Sequence, residues 1–186
     1  MKLSKFPTLL FLTIIGFTSF QIASGETIGS DLGIIEDLLP SGDRIFFFET
    51  EPLIKSPYWL PDTRIMVSDS DGIRKVSDEL FIFPTDLKQN SDYLFFVVLS
   101  DTCVNSTICD YQDVIKMSKN DGSYQKIVRD LKSAVHISIG DSLFVSESNG
   151  KIWKISLDGK SRHLLTESEN IIMDIASNGD EVYWIE

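Results

Sequence analysis

The chain has 186 residues, 42% of them hydrophobic, and a formal charge of −11. So acidic a surface repels phosphate backbones and anionic lipid headgroups, which argues against nucleic acid as a partner. The acidic residues are scattered rather than blocked, so the charge is read as serving solubility.

Residues 1–25 read as a secretory signal. Lys2 and Lys5 open the chain, Pro7 to Phe20 is an uncharged stretch of 14, and Ala23-Ser24-Gly25 supplies the small residues of a cleavage site. The stretch is too short for a comfortable membrane span. The mature chain is expected to begin near Glu26, with 26–33 as a short lead, and to carry a charge of −13 once Lys2 and Lys5 are gone. The longest later apolar run, Tyr93 to Leu99, is seven residues, which suits a buried strand and not a bilayer crossing. No membrane insertion of the mature segment is expected, and the localisation implied is secreted or extracellular.

From Ile34 onward the signals are strands and turns, with no sustained helical period. The first unit, about 34–77, contains "IFFF" and then the loop Thr50 to Asp62, "TEPLIKSPYWLPD". Tyr58 and Trp59 stand between prolines there, an aromatic protrusion of the type enriched at protein contacts. "DSDG" (Asp69 to Gly72) reads as a hairpin turn, because Val67 would occupy the first ligand position of a calcium loop. The second unit, about 79–130, carries "DTCVNSTICD". In an oxidising compartment Cys103 and Cys109 are expected to close a small disulfide ring, with Asn105 as the chain's one N-glycosylation acceptor. In the third unit, 134–167, Gly140-Asp141, Asn149-Gly150 and Asp158-Gly159 separate four strands. Asn-Gly and Asp-Gly supply the positive φ that tight hairpins demand. The last segment, 171–186, holds two strands' worth of the same pattern.

That pattern repeats. Residues 171–186, "IIMDIASNGDEVYWIE", align without a gap on 34–49, "IIEDLLPSGDRIFFFE", with six of sixteen positions identical. Further copies surround Asp92 and Asp141, so the aspartates Asp43, Asp92, Asp141 and Asp180 recur at steps of 49, 49 and 39. Periods of this size mark repeat architectures. The second strands are apolar on both faces, as expected of sheets covered by a neighbour on each side. The fold expected is therefore all-β: a β-propeller of four-stranded antiparallel blades, about three and a half of them present. A half blade at 171–186 would leave a free edge, and the chain is expected to be the front of a longer one.

"SLFVSESNGKIWKISLDGKSRHLLT" followed by "DEVYWIE" resembles the YWTD repeat of low-density lipoprotein receptor class B propellers. Tyr183-Trp184 matches the first two letters; Ile152, Leu157-Asp158-Gly159 and Arg162 match the third strand and the turn after it. Ile185-Glu186 stands where the family has Thr-Asp, which would make this a divergent member. The resemblance implies a six-bladed extracellular propeller that binds proteins rather than catalyses.

No nucleophile–base pairing or ligand cluster is legible. His136 and His163 stand alone on strands, without ligands at metal spacing. Asp37 and Asp174 occupy equivalent places on innermost strands and are the candidates for a calcium ion, as in propeller lactonases; the third blade offers Ile137 or Ser138 there. The leading expectation is a protein-binding, receptor-like module with no small cofactor. Its partner would be an extracellular protein ligand or the remaining blades of a longer chain. The alternatives are a calcium-dependent propeller hydrolase of lactonase or esterase type, and a structural fragment of a larger extracellular protein.

Overall fold

The structure, a computed structural model, describes residues 33–50, 62–103 and 110–186. The predicted signal, Tyr58, Trp59, Asn105 and Cys109 lie outside the described residues. Fifteen strands form four antiparallel sheets. The first sheet holds β1 (Ile34–Ser41), β2 (Arg44–Thr50), β3 (Asp62–Asp69) and β4 (Gly72–Lys75), with the short β5 (Phe81–Ile82) on β3. The second is β6 (Thr85–Gln89), β7 (Tyr93–Leu99), β8 (Tyr111–Ser118) and β9 (Tyr124–Lys132). The third is β10 (Ala134–Ile139), β11 (Leu143–Glu147), β12 (Lys151–Ile155) and β13 (Arg162–Glu167). The fourth is the pair β14 (Asp174–Asn178) and β15 (Glu181–Ile185). Successive strands pair with one another in each sheet, β5 apart, because a tight turn such as Gly140–Ser142 returns the chain beside the strand just made. The only helical segment among the described residues is a single 3₁₀ turn at Asp101–Cys103.

The sheets stack in chain order, with β1 beside β6, β6 beside β10 and β10 beside β14. The core lies between them, and the strand period of two decides which side chain enters which layer. On β7, Leu94, Phe96 and Val98 point to the first sheet, where they meet Phe46, Phe48 and Ile65. Phe95 and Val97 point to the third, against Ile137, Leu143 and Val145. On β11 the same alternation sends Phe144 toward Ile175 of the fourth sheet and Ile172 just before it. Phe96 is edge-on to Phe48 and Phe81, with centroids 5.6 and 5.1 Å away. Burying a side chain of this size contributes about 1.5–3 kcal/mol.

Two further devices lock the stack. Gly122, in the turn before β9, lies so close to the first sheet that a Cβ there would stand 2.0 Å from the Val76 carbonyl oxygen. Gly159, in the turn before β13, repeats this against Ile127 of the second sheet, at 2.2 Å. Each turn between third and fourth strands thus rests on the outer strand of the sheet before it, and only glycine permits the approach. Lys119 is buried at the first seam. Its Nζ donates to Ser41 Oγ at 3.3 Å, Gln89 Oε1 at 2.7 Å and the Asn90 carbonyl at 2.6 Å. Burial, with Arg44 nearby, pulls its pKa below the usual lysine value.

Candidate functional site: the open face of the fourth sheet

Phe46, Phe95, Phe144 and Tyr183 hold the same place in the four sheets, at the steps of 49, 49 and 39 that separate the turn aspartates. The three phenylalanines each point at the sheet that follows. The three phenylalanines are 0% exposed, whereas Tyr183 is 57% exposed. The cause is the layering: Phe46 and Phe95 are covered by the second and third sheets, Phe144 by the fourth, and nothing among the described residues follows the fourth. Ile185, two residues on and on the same face, is 63% exposed, and Ala176, paired with Tyr183, is exposed as well. On the opposite face of the same pair Ile175 is buried against Phe144, while Trp184 beside it stays partly exposed.

Polar groups orient this surface. The Tyr183 hydroxyl donates to Glu181 Oε2 at 2.6 Å, and that carboxylate raises the phenol's pKa. Trp184 Nε1 donates to Glu186 Oε1 at 2.9 Å. Asp180 accepts a hydrogen bond from Lys154 Nζ at 2.8 Å, which ties the fourth sheet to the third and lowers the aspartate's pKa. Ser138 and Ser177 hydroxyls meet at 2.8 Å across the same seam. Among the described residues β15 is paired on one side, with β14, whereas β2, β7 and β11 are each paired on both sides.

The calcium candidates lie on different sheets, Asp37 in the first and Asp174 in the fourth. Asp37 is exposed on a β-bulge of β1, with φ 51°. Asp174 is exposed at the start of β14, and its Oδ1 accepts the N–H of Ile175 at 2.8 Å. Among the described residues no group of three or more His, Cys, Asp or Glu is placed to hold a metal ion. The counterpart of Asp37 is Asp86, 49 residues on, which the sequence reading passed over. It sits on the equivalent bulge of β6 with φ 57°, accepts the N–H of Ile137 on β10, and pairs with Lys88. Aspartate tolerates this left-handed backbone better than most residues. Asp86 is thus a strut between first strands.

His136 is half-buried on β10 and His163 exposed on β13, neither within a ligand cluster. Cys103 is buried, its Sγ 3.3 Å from the Tyr111 carbonyl oxygen. Beside it a polar network holds the outer end of the second sheet. Buried Asp113 faces Lys126 Nζ at 3.0 Å and accepts the Asp130 N–H at 3.1 Å. Lys126 also reaches Asp101 at 2.5 Å. A half-open pocket of about 320 Å³ opens nearby, lined by Phe83, Thr85, Val97, Leu99, Gln112 and Ala134. Its one amide is engaged, since Gln112 Oε1 accepts the Ala134 N–H at 2.7 Å. No charged side chain lines it.

These features define an all-β chain of stacked antiparallel sheets built on one repeated motif. No protein-family model matches the chain, and no curated protein does.

Proposed function

We propose that this chain is a secreted β-propeller-type module of the YWTD kind whose work is to bind another protein. One observation carries the reading: one strand-turn-strand motif recurs in all four sheets, and the sheets pack in chain order, which supports the likeness of residues 134–186 to the YWTD repeat of protein-binding propellers. The stacking of first strand beside first strand supports a radial arrangement of blades. The signal-like N-terminus, the Cys103–Cys109 pair and the Asn105 sequon support an extracellular setting.

The test is expression of the full chain in a cell with a secretory pathway. The expected product appears in the medium, begins near Glu26, loses mass on glycosidase treatment, and keeps that mass in Asn105→Gln. Chemical cross-linking should join it to an extracellular protein. Retention in the cytosol with Met1 intact would sink the extracellular reading, and the absence of any cross-linked protein would sink the protein-binding one.

A further inference from the structure

The pocket between the second and third sheets arises where the repeat changes size. Phe48 of β2 and Val97 of β7 hold the same place, at the repeat's first step of 49, and each faces the next sheet. At the first seam the Phe48 ring fills that place and is fully buried, and beyond it the Thr50 and Thr63 hydroxyls bond each other at 2.9 Å. At the second seam the side chain is the smaller Val97, and the pair Leu99–Gln112 stands where Thr50–Thr63 stood. The space left is the half-open cavity of about 320 Å³. Its walls come from β6, β7, β8, β10 and Phe83 just ahead of β6. It therefore belongs to two sheets that each have a neighbouring sheet on either side.

We infer that this cavity binds a neutral small molecule with an apolar body and a carbonyl-type oxygen. Phe83, Val97, Leu99, Ala134 and Val135 select the body, and the volume lies at the small end of ligand sites. Charge is excluded because no charged side chain lines the cavity. Asp86, next to Thr85 in the chain, is already engaged by the Ile137 N–H and Lys88. An ionic ligand would lose its hydration there without gaining a partner. Gln112 selects the oxygen. Its Oε1 accepts the Ala134 N–H at 2.7 Å, which fixes the amide and leaves Nε2 with no acceptor among the described residues. A held amide nitrogen carries two N–H donors, the kind of polar group that orients a ligand in an apolar site. Phe83 forms the lip. It is 49% exposed, has φ 48° and precedes Pro84, although bulky residues rarely adopt this backbone and proline steers its predecessor to extended structure. Its counterpart in the first sheet, Ile34, lies in β1 with no positive φ. Strain of this kind gathers at ligand clamps.

The probe is acetophenone, compared with ethylbenzene, which lacks the oxygen, and benzoate, which carries a charge. Titrated into the full chain and followed by NMR, acetophenone should bind saturably and shift the Val97 and Val135 methyls and the Gln112 side-chain amide. Ethylbenzene should bind about threefold more weakly and benzoate at least about tenfold more weakly. Val97→Phe restores the residue that closes the first seam, and should cut acetophenone affinity at least about tenfold with unchanged circular dichroism. Gln112→Glu keeps an acceptor for the Ala134 N–H and removes the donor, so it should erase the preference for acetophenone over ethylbenzene; this second variant keeps the test decisive if Val97→Phe does not fold. No saturable binding, shifts confined to other residues, benzoate binding as tightly as acetophenone, or undiminished binding by a folded Val97→Phe chain would each overturn the inference. So would Overhauser contacts from the Val97 methyls to a segment of the chain outside the lining, since the chain itself would then fill the cavity. Cross-linking to an extracellular protein is a separate readout, so the protein-binding reading stands or falls independently of this one.

Discussion

Replacing Gly159 by alanine tests the stacking directly, because Gly42 provides a matched control. Both glycines have left-handed backbone, φ 74° and 64°. Around Gly42 nothing lies within 4 Å of a new Cβ, whereas at Gly159 the Ile127 carbonyl oxygen stands 2.2 Å from it. Gly42→Ala should therefore show the conformational cost alone, about 1–2 kcal/mol. Gly159→Ala carries that cost together with the overpacking of a backbone contact, typically about 1–3 kcal/mol, for a total of about 2–5 kcal/mol. Relief requires the second and third sheets to part by more than an ångström, at the expense of contacts around Ile127 and Ile155. Urea unfolding followed by circular dichroism separates the two terms. With a slope of about 2 kcal/mol per molar, the Gly159 midpoint should fall at least about 0.5 M further than the Gly42 midpoint, with unchanged slope. Equal midpoints for the two variants would refute the claim that the turn is pressed against the preceding sheet.

Three more outcomes follow from the packing and charges. Phe96→Ala should cost about 3–5 kcal/mol in the same assay, because it empties a buried site between two other rings; a loss below 1 kcal/mol would contradict the placement. Asp113→Ala removes the buried partner of Lys126 and the acceptor of the Asp130 N–H, and should cost about 3 kcal/mol. Asp113→Asn, which keeps one acceptor, should recover part of that on chemical denaturation. The carboxylates of Asp69, Asp121, Asp158 and Asp180 are all held below the ordinary range by hydrogen bonds from Arg74, Ser118 and Ser123, Ser156 and Lys160, and Lys154. Depressed folded-state values add stability that is present above the unfolded value near pH 4 and lost as pH falls below it. The melting temperature should drop between pH 4 and pH 2, and Asp158→Asn should flatten that dependence.

Much of the layering was legible because it is written in side-chain size and period. The runs at Phe46–Phe48 and Leu94–Val98 announced strands covered on both faces, and every side chain of both runs is buried. Asp-Gly at 158–159 announced a turn. Its contact with Ile127 is not written anywhere local, because glycine serves a free hairpin and a compressed one equally well. The first sheet reaches to Ile82, past the boundary expected near residue 77, because β5 pairs with β3. Two residues of pairing leave too weak a pattern to read. Asp86 had a usable signal, its 49-residue step from Asp37, and the bulges of the two first strands keep that step. The exposure of Tyr183 was legible from its aromatic position on the last strand; the bulge at Leu165 was not, since a bulge is a property of two strands.

A strand such as β7, apolar toward both neighbours, has no polarity code for its own alignment. Sliding it by one residue would exchange one greasy layer for another, where in a sheet wet on one side the same slip would drive charges into the core. Alignment must then be set at the ends. Asn90 does this for β7: its Oδ1 accepts the N–H groups of Asp92 and Tyr93 at 3.1 and 2.9 Å, pinning where the strand begins. A residue inserted within β7 should thus be an error the core itself is poor at detecting, and one inserted at Asn90 should remove the mark from which every later pairing of the sheet is counted.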